Sequence, residues 1–120
     1  MRVLIVESDA SLGWLWQRHL ERRGLEVMRA ASQDEAAAAI AEAEPDVIVL
    51  DLVLTEGSAL AVADYASYRH PEARVIFVTS ASFFSDGSIF ELAANACACL
   101  PKGTPPDDLA SVVEHYGARS

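Results

Sequence analysis

The sequence predicts a single α/β domain in which helices cover both faces of a five-stranded parallel β-sheet. Two observations predict this architecture. Short apolar runs alternate five times with segments that carry helix signals, and three of the runs are continuous and β-branched, as in strands buried on both faces. The chain has 120 residues, 52% hydrophobic and 22% charged, which is the composition of one globular domain over residues 1–120.

The five apolar runs are predicted to be the strands. The second run is interrupted by polar residues and the fifth ends at a proline, and both features suit strands at the edges of a sheet. With right-handed crossovers, these edges give the doubly wound strand order 2-1-3-4-5 in a three-layer sandwich with five helices. The runs are Val3–Val6, Leu25–Ala30, Val47–Leu50, Val75–Val78 and Ala96–Leu100.

Helix signals lie between these runs. A capping box at Ser32 and Glu35 opens the second helix, which continues to about Glu44, and Thr104 is expected to cap the last helix with Pro105 at its first position. The remaining helices are expected at about Ser11–Arg23, Ser58–Arg69 and Asp86–Asn95. The first of them should turn one face to the core, formed by Leu12, Leu15, Trp16, His19 and Leu20.

Charge and cysteine content narrow the function classes. The net charge of −9 argues against a role that depends on general attraction to nucleic acid or to an anionic membrane. No run is long enough for a signal peptide or a membrane span. Cys97 and Cys99 lie two apart, so in a regular strand they would point the same way and could not readily pair. A reducing cytoplasm is the expected location.

Polar residues with the chemistry of a site follow the predicted strands. In a doubly wound sheet, chemistry collects beyond the carboxyl ends of the strands, between strands one and three. Single polar residues at strand ends are common, because loops are exposed to solvent. Here, however, acids, hydroxyls and a lysine all fall at the same edge. They are Glu7, Ser8 and Asp9 after strand one, Asp51 after strand three, Thr79 and Ser80 after strand four, and Lys102 after strand five.

Three segments resemble the receiver domain of bacterial two-component response regulators, and together the resemblance covers nearly the whole chain. PDVIVLDLVLTEGSAL is similar to the third strand, phosphoacceptor aspartate and following loop of that family, which places Asp51 at the phosphorylated position. VIFVTSAS resembles its fourth strand, with Thr79 at the switch hydroxyl. AANACACLPKGTPPDDL resembles its fifth strand, with Lys102 at the family's lysine. The resemblance implies a flavodoxin-like fold.

The resemblance implies an atypical, chemotaxis-type receiver that stands alone. Asp51 would accept a phosphoryl group from a sensor histidine kinase or a histidine phosphotransfer protein, and Thr79 and Lys102 would bind the phosphoryl oxygens. Mg²⁺ would be held by Glu7, Asp51 and the carbonyl of Val53, because a carboxylate attacking a phosphoryl group needs its charge neutralised. Such a domain is not a conventional enzyme and would signal to a downstream protein. Whether it forms a homodimer stays open.

Several positions depart from the family's pattern. Ser8 stands where the second of two adjacent acids normally contacts the metal, so weak metal binding is expected unless Asp9 replaces it. Thr55 stands at the usual proline of the loop after the acceptor, Cys99 at an aromatic switch position and Gly103 at the proline after the lysine. The changes at Ser8, Cys99 and Gly103 favour an alternative function, a phosphorylation-independent pseudo-receiver that acts as a protein-interaction module.

A third hypothesis is a small phosphatase that turns over at Asp51. The haloacid-dehalogenase-like pattern D-x-D-x-T has its first and fifth positions at Asp51 and Thr55. Val53 replaces the second aspartate, which would be the general acid, so this hypothesis is the weakest of the three.

Overall fold

Five parallel strands form one sheet in the order β2-β1-β3-β4-β5, which confirms the predicted topology. The structure is a computed structural model that describes residues 1–80 and 95–117. The strands are β1 (Arg2–Val6), β2 (Glu26–Ala30), β3 (Val47–Asp51), β4 (Arg74–Thr79) and β5 (Ala96–Pro101). Every residue of β3 is buried, whereas the edge strands are only partly buried. The burial therefore follows the hydrophobic pattern of the runs.

Four helices flank the sheet within the described residues. They are α1 (Ala10–Arg22), α2 (Gln33–Ala43), α3 (Ala59–Arg69) and α4 (Pro106–Gly117). The helix predicted at Asp86–Asn95 falls outside the described residues except for Asn95, which lies in a turn. No helix in the described part of the chain is long and apolar enough to cross a bilayer.

Side chains at the helix starts satisfy free backbone N–H groups. Ser32 accepts from the N–H of Glu35 at 3.3 Å, as the capping box predicts, but the Glu35 carboxylate accepts from the N–H of Ala31 at 3.0 Å. Ser58 caps α3 through the N–H of Ala61. These caps fix where α2 and α3 begin, and both helices begin beside the carboxyl edge of the sheet.

The start of α4 differs from the prediction. The helix begins at Pro106, and the carbonyl of Pro105 accepts its first backbone hydrogen bond, from Leu109 at 3.0 Å. Thr104 is not the cap, because its hydroxyl donates to the carbonyl of Pro101 at 2.7 Å. The second proline of the pair therefore takes the first helical position, where its missing N–H costs nothing.

The core is divided by the sheet into two layers. One layer lies under α2 and α3 and includes Leu4, Leu50 and Phe77, and the other lies under α1 and α4. In the second layer Trp16 and Leu20 are buried as predicted, but Leu15 is 38% exposed, so its assignment to the core was wrong. The next residue, Trp16, occupies the face that meets the sheet.

Strand β5 contains an irregularity that separates its two cysteines. The register with β4 shifts between Val75 and Ile76, which face Ala96 and Ala98, so the pairing passes over Cys97. Cys97 packs in the layer under α1 and α4, whereas Cys99 packs in the layer under α2 and α3. The prediction that the two thiols point the same way was therefore wrong, and neither cysteine forms a disulfide.

Candidate functional site

Two buried carboxylates meet at the carboxyl edge of the sheet. Glu7 directly follows β1, and Asp51 is the last residue of β3, which lies beside β1. Glu7 is 4% exposed and Asp51 is 1% exposed. Asp51 Oδ1 accepts the N–H of Val53 at 3.0 Å, and Glu7 Oε2 accepts the N–H of Asp9 at 3.2 Å. The second oxygen of each carboxylate is left to face the site.

Lys102 supplies the positive charge between these carboxylates. Its Nζ lies 2.9 Å from Asp51 Oδ2 and 3.4 Å from Glu7 Oε1. The two oxygens are within reach of the ammonium, yet neither accepts a well-aligned hydrogen bond from the described residues. The contact with Asp51 nevertheless raises the pKa of Lys102, against the opposing effect of burial. The lysine is therefore charged and holds a net negative site together.

The buried position of the Glu7 carboxyl raises its pKa strongly. Burial raises the pKa of Glu7 from 4.5 to about 7, and the neighbouring Asp51 carboxylate adds to the rise. The N–H of Asp9 and the Lys102 ammonium act in the opposite direction. A site that keeps two carboxylates this close with one ammonium has spare negative charge, which a cation would neutralise.

Thr79 and Lys102 are brought to the site by neighbouring strands. Asp51 pairs with Val78, so Thr79 is the next residue of β4 beyond this pair, and it is 8% exposed. The backbone N–H of Lys102 donates to the carbonyl of Thr79 at 3.1 Å, which fixes the lysine beside the end of β4. The structure thus brings Glu7, Asp51, Thr79 and Lys102 to one edge of the sheet.

Ser8 and Asp9 are used elsewhere. Asp9 is the N-cap of α1, and its Oδ1 accepts from the N–H groups of Ser11 and Leu12. The Ser8 hydroxyl accepts from the N–H of Thr55 at 3.0 Å and donates to the carbonyl of Ala31 at 3.4 Å. In this arrangement neither side chain joins Glu7 and Asp51 as a third ligand.

The residues present fit a magnesium ion held by few protein ligands. Glu7 Oε1 and Asp51 Oδ2 are buried without an aligned hydrogen-bond partner, and carboxylate oxygens are the ligands that Mg²⁺ prefers. Within residues 1–80 and 95–117, no three acidic, histidine or cysteine side chains are grouped to hold a metal. Mg²⁺ commonly binds through one or two carboxylates and keeps several waters, so two carboxylates suffice.

The family model for the response regulator receiver domain matches residues 3–114. The chain belongs to the response regulator receiver family. As a receiver it is 30% identical over 118 residues to the DNA-binding transcriptional regulator NtrC of Salmonella typhimurium, with 95% of the chain covered. It spans about a quarter of the length of that curated relative, 25% by alignment.

Solved receiver structures share the fold. A CheY-like receiver domain protein from Methanospirillum hungatei aligns with a TM-score of 0.87 at 29% identity, covering 98% of this chain and 93% of that one. The receiver domain of NtrX from Brucella abortus aligns with a TM-score of 0.88 at 26% identity, covering 98% and 99%. Receivers of this kind are signalling modules, and the resemblance inferred from the motifs is confirmed.

Sequence reasoning missed the residues that hold the loop between β3 and α3. Gln33 donates its backbone N–H to the carbonyl of Glu56 at 3.2 Å, and its side-chain Oε1 accepts from the N–H of Ser58 at 2.8 Å. Gly57 has a φ of 98°, and a Cβ there would lie 2.3 Å from the Cβ of Gln33. The glycine in TEGS was the available signal, because a left-handed residue in the loop that follows Asp51 marks a close approach of the backbone.

Proposed function

We propose that this receiver accepts a phosphoryl group on Asp51 from a phosphohistidine of a sensor histidine kinase or histidine phosphotransfer protein. The observation that carries the proposal is the Lys102 ammonium, 2.9 Å from Asp51 Oδ2 and 3.4 Å from Glu7 Oε1, among buried carboxylates. A structural ion pair needs only one carboxylate. Two buried acids around one ammonium form instead a site that gains from binding a further cation.

The reaction uses the residues in distinct roles. An oxygen of Asp51 attacks the phosphorus, the P–N bond to the donor histidine breaks, and the electron pair leaves with the imidazole. Lys102 moves from the carboxylate to a phosphoryl oxygen, and the Thr79 hydroxyl donates to another. Mg²⁺ would be held by Glu7, Asp51 and the carbonyl of Val53, where it would neutralise the negative charge of the reacting groups. The product is an acyl phosphate on Asp51.

The exposed face of α1 beside the site suits a protein donor. Trp14 is 50% exposed, and the Arg18 guanidinium lies 4.8 Å from the centre of its ring. Leu15 and Arg29 line the same shallow groove. An aromatic and apolar patch rimmed by arginines is typical of an interface core, and this supports docking of the donor on α1. Such exchange with kinases would take place in the cytoplasm, and the output would pass to a protein partner.

The test is incubation with acetyl phosphate and Mg²⁺ followed by intact-protein mass spectrometry. The expected result is a gain of one phosphoryl group that is absent in Asp51→Asn. Asp64→Asn, at an exposed position of α3, is the matched control and should keep the gain. No gain in the wild-type protein, with acetyl phosphate or with any competent phosphohistidine donor, would refute the proposal.

A phosphorylation-independent pseudo-receiver is the second candidate, and the placement of Ser8 and Asp9 favours it. The hydroxyl of Ser8 is bound to Thr55 and Ala31, and the carboxylate of Asp9 caps α1, so two carboxylates remain for the metal. Phosphoryl transfer that depends on Mg²⁺ would argue against this candidate. Unchanged partner binding in Asp51→Asn, together with no phosphoryl gain in the wild type, would support it.

Replacement of Ser8 by aspartate is expected to tighten Mg²⁺ binding by about tenfold, because a third carboxylate joins Glu7 and Asp51. Isothermal titration calorimetry with MgCl₂ measures the change. Ser67→Asp, on the exposed surface of α3, is the control for added negative charge and should change the affinity by less than twofold. An unchanged affinity in Ser8→Asp would show that this corner is not the metal site.

A further inference from the structure

The hydroxyl of Ser8 links three separate parts of the chain at the edge of the site. It follows β1, accepts the N–H of Thr55 in the loop after β3 at 3.0 Å, and donates to the carbonyl of Ala31 after β2 at 3.4 Å. A hydroxyl can do both, because it is one donor and an acceptor. An ionised carboxylate at this position could accept from Thr55 but could not donate to Ala31.

The same loop is held a second time by Gln33 at the start of α2. Gln33 binds the carbonyl of Glu56 and the N–H of Ser58, at 3.2 and 2.8 Å. Gly57 lies between these two contacts, and its lack of a Cβ allows the Gln33 side chain to approach. The far half of the loop is therefore fixed to α2 by its own hydrogen bonds.

The first residues of the loop, next to β3, are fixed to Asp51. Asp51 Oδ1 binds the N–H of Val53 at 3.0 Å, and the N–H of Leu52 donates to the carbonyl of Val78 at 2.9 Å. Val53 lies between the hydrogen bond at Asp51 and the hydrogen bond at Thr55. The position of the Val53 backbone is consequently set by both.

The two departures from the family's pattern at this edge meet in one contact. A proline at position 55 would have no N–H to donate, and an aspartate at position 8 would turn toward the cation. Thr55 provides the N–H and Ser8 provides the neutral acceptor, at 3.0 Å. The contact needs both an N–H at position 55 and an acceptor at position 8 that is not drawn to the cation.

We infer that the Ser8–Thr55 hydrogen bond is a strap that positions the loop carrying Val53. At position 8, where the family has a carboxylate that contacts the metal, this receiver has a hydroxyl that instead holds the proposed Val53 ligand in place. Ser8 and Thr55 are positioning residues. The part of the inference that concerns the metal rests on the proposed function, and the part that concerns the loop does not.

The test is a double-mutant cycle of Ser8→Ala and Thr55→Pro, with Ser8→Thr and Thr55→Ala as controls that keep the hydroxyl and the N–H. Loss of one hydrogen bond of ordinary strength is worth about a fivefold change. We expect Ser8→Ala to speed hydrogen exchange of the Thr55 amide about fivefold and to weaken Mg²⁺ binding about fivefold. Thr55→Pro should weaken Mg²⁺ binding equally, and the double variant should be no weaker than either single variant. Both controls should stay within twofold of the wild type.

Unchanged exchange of the Thr55 amide in Ser8→Ala would overturn the strap. Additive losses of Mg²⁺ affinity in the double variant would overturn its link to the metal. Thr55 exchange is measured by NMR in the metal-free protein, so it decides the strap even if the wild type binds no Mg²⁺. Absence of Mg²⁺ binding in the wild type would instead refute the proposed function and the metal part of the inference. If Thr55→Pro does not fold, the contrast between Ser8→Ala and Ser8→Thr decides the result.

Discussion

Lys102→Met is expected to slow phosphorylation of Asp51 by acetyl phosphate at least 100-fold at saturating Mg²⁺. The ammonium lies 2.9 Å from Asp51 Oδ2 and is the positive side chain in contact with both buried carboxylates. Removal of one preorganised group that stabilises a developing oxyanion typically costs 10²–10³ in rate. The initial rate of mass gain, followed by quenched intact-protein mass spectrometry, measures the effect.

Two variants control for this result. Lys102→Arg keeps the charge but exchanges a compact ammonium for a planar guanidinium, so an intermediate rate is expected. Arg69→Met removes a positive charge at an exposed position of α3 and should leave the rate within twofold. A rate in Lys102→Met within threefold of the wild type would show that the lysine does not bind the transferred group.

The stability of the metal-free protein is expected to fall as the pH rises from 5 to 8, and Glu7→Gln should remove that fall. Because the pKa of Glu7 is about 7 in the folded protein against 4.5 for a free side chain, the folded state binds more protons than the unfolded state in this range. The contribution of Glu7 to the free energy of unfolding is therefore fully present below pH 4.5 and is lost as the pH rises through 7. The shift corresponds to about 3 kcal/mol.

Urea unfolding in the presence of a chelator, at half-unit steps of pH, measures this difference. The pKa of Lys102 is raised from 10.5, so its own contribution changes outside the range of the experiment. Added Mg²⁺ should flatten the pH dependence of the wild type and leave Glu7→Gln unaffected, because a metal ion favours the ionised carboxylates. Glu35→Gln, which alters a carboxylate at the start of α2, is the control. Parallel pH profiles for the wild type and Glu7→Gln would contradict the expectation.

Most of the fold was predictable because it depends on local pattern. The continuous run at Val47–Leu50 identifies a strand buried on both faces, and β3 is buried throughout. Ser32 and Ser58 mark helix starts that depend on residues three positions away. The strand order followed from the polar second strand and the proline-ended fifth strand, and the sheet has that order.

The features that were wrong or missed depend on contacts that the local pattern does not contain. The irregularity in β5 is a property of its pairing with β4, so alternation along the strand could not place Cys97 and Cys99. Leu15 and Trp16 are adjacent on α1, and the choice of which one faces the sheet is made by packing.

The candidate site likewise combines features that the sequence pattern predicts with features that depend on contacts between distant residues. The gathering of Glu7, Asp51 and Lys102 followed from the rule that parallel strands share a carboxyl edge. The hydrogen bond from Thr55 to Ser8 joins residues 47 positions apart, and the sequence marks them only as two separate departures from a family pattern. Asp9 is the N-cap of α1, a role that the sequence did not distinguish from that of a metal ligand.

The separation of Cys97 and Cys99 gives this receiver two independent chemical reporters. Because each thiol is partly buried and packs against a different layer of the core, its rate of reaction with a thiol reagent reports the accessibility of that side of the sheet. Burial raises the pKa of Cys99, so less of it is present as the reactive thiolate than for a fully exposed cysteine. Labelling followed by peptide mass spectrometry can thus compare the motions of the two sides of the sheet in the unmodified protein.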